Sequence, residues 1–217
     1  MSEDILAYAS VLRLNRHAVK ALQIKDPYSL HKTVYGLFED IRTEEQKQAS
    51  EPSGILWSDK GGDFNVRQIL MLSNRKPHQT PQFGEVETKV IAHSFAQHDL
   101  YGFEVTVNPT KRNKQTGKIE AIKGREEIAS WADERVHKTW GFDINLNHLQ
   151  VQINPVQMFQ KSGQTVVHGS ATLKGELKVN DRQAFIKSFT QGVGRGKAFG
   201  FGLLQVVPLI NPNPYQI

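Results

Sequence analysis

Between Tyr101 and Val207 the apolar residues follow a sequence of repeats that few folds accept. Tyr101 to Asn108 alternates like a strand. Arg125 to His137 has helical composition, with Ile128, Trp131, Ala132 and Val136 roughly on one stripe. Leu149 to Ile153 alternates again, and Thr165 to Val179 is rich in the β-branched residues that strands favour. Asp181 supplies an N-cap acceptor for a helix whose apolar positions are Ala184, Phe185, Ile186 and Phe189. Leu203 to Val207 closes the region as an apolar strand. The order β-α-β-β-α-β is that of a ferredoxin-like unit.

The preceding half starts on the same plan and then departs from it. Ile5 to Leu14 reads as a strand. Asp26-Pro27 is a strong helix start, an N-cap acceptor followed by proline at the first helical position. The spacing of Leu30, Val34, Leu37 and Ile41 predicts a helix with a core stripe running to about Asp40, and Arg42 to Ser53 reads as a charged loop. Ile55 to Ser58, Val66 to Leu72 and Val86 to Phe95 are strand candidates. Where a second helix would complete the unit, Ser73 to Gly84 offers mostly Asn, Pro, His and Gln. The expectation is an α+β chain of two tandem ferredoxin-like (RRM-like) domains joined near residues 96–100. Residues 1–98 form a degraded copy, and residues 99–217 form a complete one with a basic surface and a glycine-rich loop.

A hydrophobic fraction of 38% suffices for a core in each half, and no run of about 18 apolar residues is present to cross a bilayer. Met1-Ser-Glu-Asp4 has no basic or apolar leader character, and the absence of cysteine excludes disulfides, cysteine zinc sites and cysteine nucleophiles. A soluble cytoplasmic protein without a membrane partner is expected. Net charge is +5 and unevenly placed: residues 1–100 hold 12 Lys/Arg against 13 Asp/Glu, residues 101–217 hold 15 against 9. Such a basic half suits a polyanion, although an ordinary basic surface reads the same way.

The densest local signal is Gly192-Val-Gly-Arg-Gly-Lys-Ala-Phe-Gly-Phe-Gly202, with five glycines in eleven residues. Gly192, Gly194, Gly196, Gly200 and Gly202 allow positive φ and close backbone approach, and Arg195 and Lys197 add charge, so the segment suits a phosphate backbone. It is not a Walker loop, because Gln191 and Ala198 stand where glycine and Ser/Thr are needed. It is not a dinucleotide fingerprint, because the spacing fails and the loop follows a helix. A tight helix-to-strand connection remains the plainer reading of the glycines alone.

The arrangement Gly-hydrophobic-Gly, five residues, Gly-hydrophobic-Gly, placed after a ferredoxin-like helix near the C-terminus, resembles the signature of CRISPR repeat-processing endoribonucleases. It is most similar to their CasE branch, the processing subunit of type I-E effector complexes. Asp26-Pro-Tyr-Ser-Leu-His31, Phe103 to Arg112, the Arg125-Glu-Glu-Ile helix and Gly175-Glu-Leu-Lys-Val-Asn-Asp181 agree in order, so the resemblance runs from residue 5 to about residue 209. It implies a metal-independent endoribonuclease that cleaves precursor RNA within the repeat and keeps the product inside an effector complex. The partners implied are a CRISPR repeat RNA hairpin and other effector subunits. No cofactor is implied.

Cutting RNA without metal uses the substrate's own 2′-hydroxyl, and it needs a base, an acid and cations near the phosphate. Histidine suits proton transfer because its pKa lies near working pH. His31 lies three residues after Tyr28, so both project from one flank of the first long helix, beside the Leu30/Val34 stripe. On the residues alone, the plainer reading of His31 is a helix-edge histidine satisfied by a backbone carbonyl. The resemblance places the pair at the family's catalytic position, His31 for proton transfer and Tyr28 for positioning. Lys161, at a probable hairpin tip beside Ser162-Gly163, corresponds loosely to a basic hairpin of relatives. Lys111, Arg112, Lys114 and Lys118 form a basic turn suited to stem phosphates or simply to solvent. The remaining histidines, His168 among them, stand alone, and no Asp/Glu/His spacing suggests a metal site. A catalytically silent RNA-binding scaffold would share every feature except the Tyr28/His31 pair.

Overall fold

A computed structural model describes residues 4–49, 51–63, 65–78, 81–161 and 163–209, leaving Ser162 and the tail from residue 210 outside. The first half forms a four-stranded antiparallel sheet in the order β2-β3-β1-β4, built from β1 (Ile5–Asn15), β2 (Ile55–Gly62), β3 (Val66–Ser73) and β4 (Glu85–Ala92). This is the ferredoxin-like order, with α1 (Arg16–Ala21) and α2 (Pro27–Tyr35) in the first crossover and, among the described residues, no helix between β3 and β4. The short α3 (Glu44–Gln48) buries no residue. Leu12, Leu14, Trp57, Ile69 and Met71 line the sheet face that takes Leu30 and Val34 of α2.

The second half repeats the plan in full. Its strands are β5 (Leu100–Val107), β8 (Phe142–Ile144), β9 (Gln150–Lys161), β10 (Gln164–Val179) and β11 (Gln205–Pro208), in the order β11-β5-β10-β8 with β9 also on β10. The helices are α4 (Arg125–Arg135), extended by one π turn to Trp140, and α5 (Arg182–Gln191). A small hairpin, β6 (Thr110–Arg112) and β7 (Ile119–Ala121), is inserted after β5. Tyr101, Val105, Trp131, Phe142, Leu173 and Phe185 form this core. A third cluster joins the halves, packing Ala7, Leu56 and Leu72 against Phe189 and Leu203. The molecule thus has two tandem ferredoxin-like folds, the first with no second helix among its described residues.

Several boundaries differ from the sequence reading. The helix expected to reach Asp40 ends at Tyr35, because Gly36 opens a turn; Leu37 and Phe38 are still buried, but Ile41 is 60% exposed and leaves the core stripe. The strand expected to run to Phe95 stops at Ala92 and becomes a 3-10 turn, and the basic turn after Pro109 contains the β6–β7 hairpin.

Candidate active site between the two halves

Helix α2 presents its flank in a fixed orientation because its start is doubly tied. Asp26 accepts the Ser29 amide at 2.7 Å, and Ser29 Oγ accepts the Asp26 amide at 3.0 Å, a capping box with Pro27 at the first turn. These bonds to the Asp26 carboxylate, led by the Ser29 amide, also hold its pKa below the ordinary carboxylate value. Leu30 and Val34 anchor the helix in the core, so Tyr28, His31, Lys32 and Tyr35, at helical spacing, line up on the adjoining flank.

The second wall is the β9–β10 hairpin. Its register pairs Gln157 with His168, Phe159 with Val166 and Lys161 with Gln164, so Gln157, Phe159 and Lys161 share a face with His168. The third wall is a turn of the glycine-rich loop, Lys197–Phe199. Aromatic rings close the three together. His31 lies 4.1 Å from Tyr35, 5.8 Å from Phe199 and 6.2 Å, near-parallel, from Tyr28, measured between ring centres. Phe159 sits 4.6 Å from Phe199 and 6.5 Å from Tyr28, and His168 sits 5.5 Å from Phe199. Lys161 Nζ stands 5.5 Å from the Phe199 ring centre and Lys32 Nζ 4.5 Å from that of Tyr28.

This setting decides the charge on His31. Burial lowers its pKa below the ordinary 6.5; the Ala198 carbonyl acts in the opposite sense, and Lys161 and then Lys32 lower it further. The ring is therefore neutral near pH 7, able to accept a proton. His168 is lowered by burial as well. Nδ1 of both rings is buried without a hydrogen-bond partner.

The sequence brought Tyr28, His31 and Lys161 forward, and the fold brings them together across the halves. Phe159, Phe199, Tyr35 and His168 were missed as site residues. Only the aromatic in the glycine loop carried a signal; His168 reaches the site through strand register alone.

The predicted polyanion surface divides. Lys111, Arg112, Lys114 and Lys118 are exposed on or near the β6–β7 hairpin, whose strands are braced by Arg112 donating to the Gly117 carbonyl at 2.8 Å. A Cβ at Gly169, next to His168, would lie 3.7 Å from Ala121, so the hairpin base adjoins the site. Arg135, missed in the sequence, lies over Trp131 at 4.5 Å and repels Arg195 of the glycine loop.

Most of the loop faces protein. Added Cβ atoms would meet Leu56 at Gly192 (2.7 Å), Phe201 at Gly196 (2.8 Å), Trp57 at Gly200 (2.8 Å) and the Val193 carbonyl at Gly202 (2.2 Å). Lys197 Nζ donates to the Gln191 carbonyl at 2.9 Å, and burial lowers its pKa. Gly194 and Arg195 remain exposed. Residues 56 and 57 point to opposite faces of β2, an edge strand, so the loop grips that edge from both sides.

A cavity of about 1040 Å³ lies between the sheets, is lined in part by Val11, Leu72, Phe103 and Val206, and includes none of the predicted site residues. Among the described residues no group of three His, Asp or Glu is placed to hold a metal ion, and no helix is long and apolar enough to cross a membrane.

Known proteins share this architecture. The chain is 28% identical over 116 residues to the CRISPR-associated endoribonuclease Cse3 of Thermus thermophilus, a match covering 49% of this chain and 54% of that protein. It is 22% identical over 197 residues to the CRISPR system Cascade subunit CasE of Escherichia coli, covering 85% and 94%. A solved structure of Thermus thermophilus Cse3, bound to an RNA representing a pre-cleavage complex, superposes with a TM-score of 0.73 at 23% identity, over 93% of this chain and 99% of that one. The model of the CRISPR associated protein family matches residues 7–208, nearly the whole described chain, and the chain belongs to that family.

Proposed function

We propose that this protein is a metal-independent endoribonuclease that cuts CRISPR precursor RNA within the repeat. The observation that carries the reading is His31: a half-buried ring, neutral near pH 7, flanked by the Tyr28 ring and within electrostatic reach of Lys161 and Lys32. A site built to cut RNA through its 2′-hydroxyl has this composition. His31 accepts the 2′-hydroxyl proton, and the 2′-oxygen attacks the adjacent phosphorus. The bond to the 5′-oxygen breaks and that oxygen takes up a proton. The products are a 2′,3′-cyclic phosphate and a 5′-hydroxyl. Tyr28 orients the phosphate or the 2′-hydroxyl, and Lys161 offsets the charge that builds on the phosphorane. Lys111, Arg112, Lys114, Lys118 and Arg195 hold stem phosphates, the contacts by which RNA helices are recognised largely through shape and backbone. The relatives named as an endoribonuclease and as a Cascade subunit support this substrate, and they support retention of the product among other effector subunits.

The test is single-turnover cleavage of host repeat RNA in EDTA. His31→Ala keeps the helix, since alanine is the best helix former and Leu30 and Val34 are untouched. Its rate should fall by about 10²–10⁴ with RNA affinity changed no more than a few-fold. Because the working form is neutral and its pKa is lowered, the wild-type rate should hold at pH 7 and drop only as pH falls through a value below 6.5. Cleavage of a substrate with a 2′-deoxy sugar at the cut, or cutting only with divalent metal, would refute the mechanism. Normal cutting by His31→Ala would move the chemistry elsewhere.

A further inference from the structure

Two imidazoles share the Phe199 ring. His31 approaches it from α2 at 5.8 Å between centres, and His168 approaches it from β10 at 5.5 Å. Lys161 Nζ stands 5.5 Å from the same ring centre. Cutting RNA through its 2′-hydroxyl needs a base, a cation and an acid for the departing 5′-oxygen, and His31 and Lys161 fill the first two roles. The rings of Phe159 and Phe201, centred 5.8 and 5.7 Å away, brace His168, and a bulge sets its direction. Between the pairs Gln157–His168 and Asn154–Ser170, β9 carries Pro155 and Val156 against Gly169 alone. Bulges of this kind re-aim side chains beside active sites, and a proline, with no N–H to pair, suits the position.

Nδ1 is the sealed edge of the His168 ring. The ring as a whole is partly exposed, so its open edge is that of Nε2. A protonated imidazole donates from both nitrogens and needs an acceptor at each. Gln157 stands directly across the ladder, and its Oε1 is buried without a donor. Side chains so paired lie close enough to meet, so Nδ1 and Oε1 are two halves of a hydrogen bond that closes when the ring gains its second proton. We infer that His168 is the general acid of the reaction, giving the Nε2 proton to the departing 5′-oxygen while Gln157 accepts from Nδ1. This rests on cleavage through the 2′-hydroxyl with His31 as base. The bond from the 2′-oxygen to phosphorus forms as the bond from phosphorus to the 5′-oxygen breaks. The 2′-hydroxyl proton ends on His31 and the Nε2 proton of His168 ends on the 5′-oxygen, so the pair finishes with its protonation reversed. The surroundings keep the roles apart. Burial lowers the pKa of His31 and Lys161 and Lys32 lower it further, whereas burial alone lowers that of His168. The negative charge of a bound phosphodiester therefore restores the proton to His168 while the lysines keep His31 neutral.

Sulfur at the leaving position separates an acid from every other role, because a thiolate departs without a proton. Host repeat RNA with oxygen or sulfur at the 5′-bridging position of the cut is cleaved under single turnover in EDTA. With folding checked by thermal melting, His168→Ala should lose about 10²–10⁴ of the rate on oxygen RNA, with affinity changed no more than a few-fold. On sulfur RNA it should cut nearly as fast as the wild type. His168→Gln fills the space among the three phenylalanines and should behave in the same way, which keeps the test open where the alanine variant does not fold. Gln157→Leu should show a smaller loss, also relieved by sulfur. An unchanged rate of folded His168→Ala on oxygen RNA would overturn the inference. So would a loss that sulfur does not relieve, which marks a packing or positioning role. Sulfur rescue of Lys161→Ala in place of His168→Ala would hand the proton to Lys161 and overturn it as well. Failure of the underlying reading appears separately: His31→Ala should stay slow on both RNAs, and its full activity on oxygen RNA would remove the base.

Discussion

The two ferredoxin-like halves differ by one helix, and that helix explains the rest of the architecture. In the second half α5 follows β10 and covers its own sheet through Phe185. In the first half no helix lies between β3 and β4 among the described residues, so the sheet must find cover elsewhere. Phe83 supplies part of it locally. On that face the glycine-rich loop supplies the rest by packing on Trp57, while Phe189 and Leu203 cover Ala7, Leu56 and Leu72 on the opposite face. The incomplete half carries the histidine, and the complete half carries the roof over it. An interface that had to form for stability is also where the candidate chemistry sits.

Separating the halves should give the largest effect. Residues 99–217 expressed alone should melt cooperatively, whereas residues 1–98 should show no cooperative transition in circular dichroism. Each large side chain left bare, among them Leu56, Leu72 and Trp57, forfeits roughly 1.5–3 kcal/mol, against a typical domain stability of about 5–15 kcal/mol. A folded first half would break the comparison. Within the loop, Gly202→Ala combines positive φ with a Cβ 2.2 Å from the Val193 carbonyl, and should cost roughly 3–5 kcal/mol in denaturant titration. Gly194→Ala shares the positive φ but meets nothing within 4 Å, and should cost only about 1–2 kcal/mol. Equal losses would mean that conformation, and not close packing within the loop, dictates these two glycines. The smallest effect belongs to the exposed hairpin. Replacing Lys111, Arg112 and Lys114 together by alanine should leave stability within about 0.5 kcal/mol, while the slope of log K against log salt falls by roughly 0.7–0.9 per lost phosphate contact. An unchanged slope would assign those residues to solvent.

Local chemistry made much of this visible in the sequence. Asp26-Pro27 announced α2, Asp181 announced α5, and the helix-poor composition of Ser73 to Gly84 foretold the missing element. What escaped had weak local signals or none. Helix α1 has six residues and buries only Ala18, so no stripe could reveal it. The spacing of Leu37 and Ile41 continued a helix that Gly36 had already ended. The Tyr28/His31 flank was legible from α2 alone. Its neighbours were not, because Phe159 and His168 depend on the register of a long hairpin and Phe199 on the docking of one half against the other. Nor could spacing tell that the loop's glycines answer to Trp57 and Leu56, 135 or more positions earlier in the chain.

The grip of the loop on β2 has a consequence for synthesis. Strand β3 of the first sheet ends at Ser73, yet the segment that clasps its edge strand ends at Gly202. At translation speeds of about 5–20 residues per second, that edge waits roughly 6–26 s for its cover. An uncovered edge strand pairs readily with other chains. The last-made tenth of the described chain therefore acts as a safeguard for the first-made sheet, and substitutions in the loop that spare the purified protein should still lower its yield from cells as aggregate.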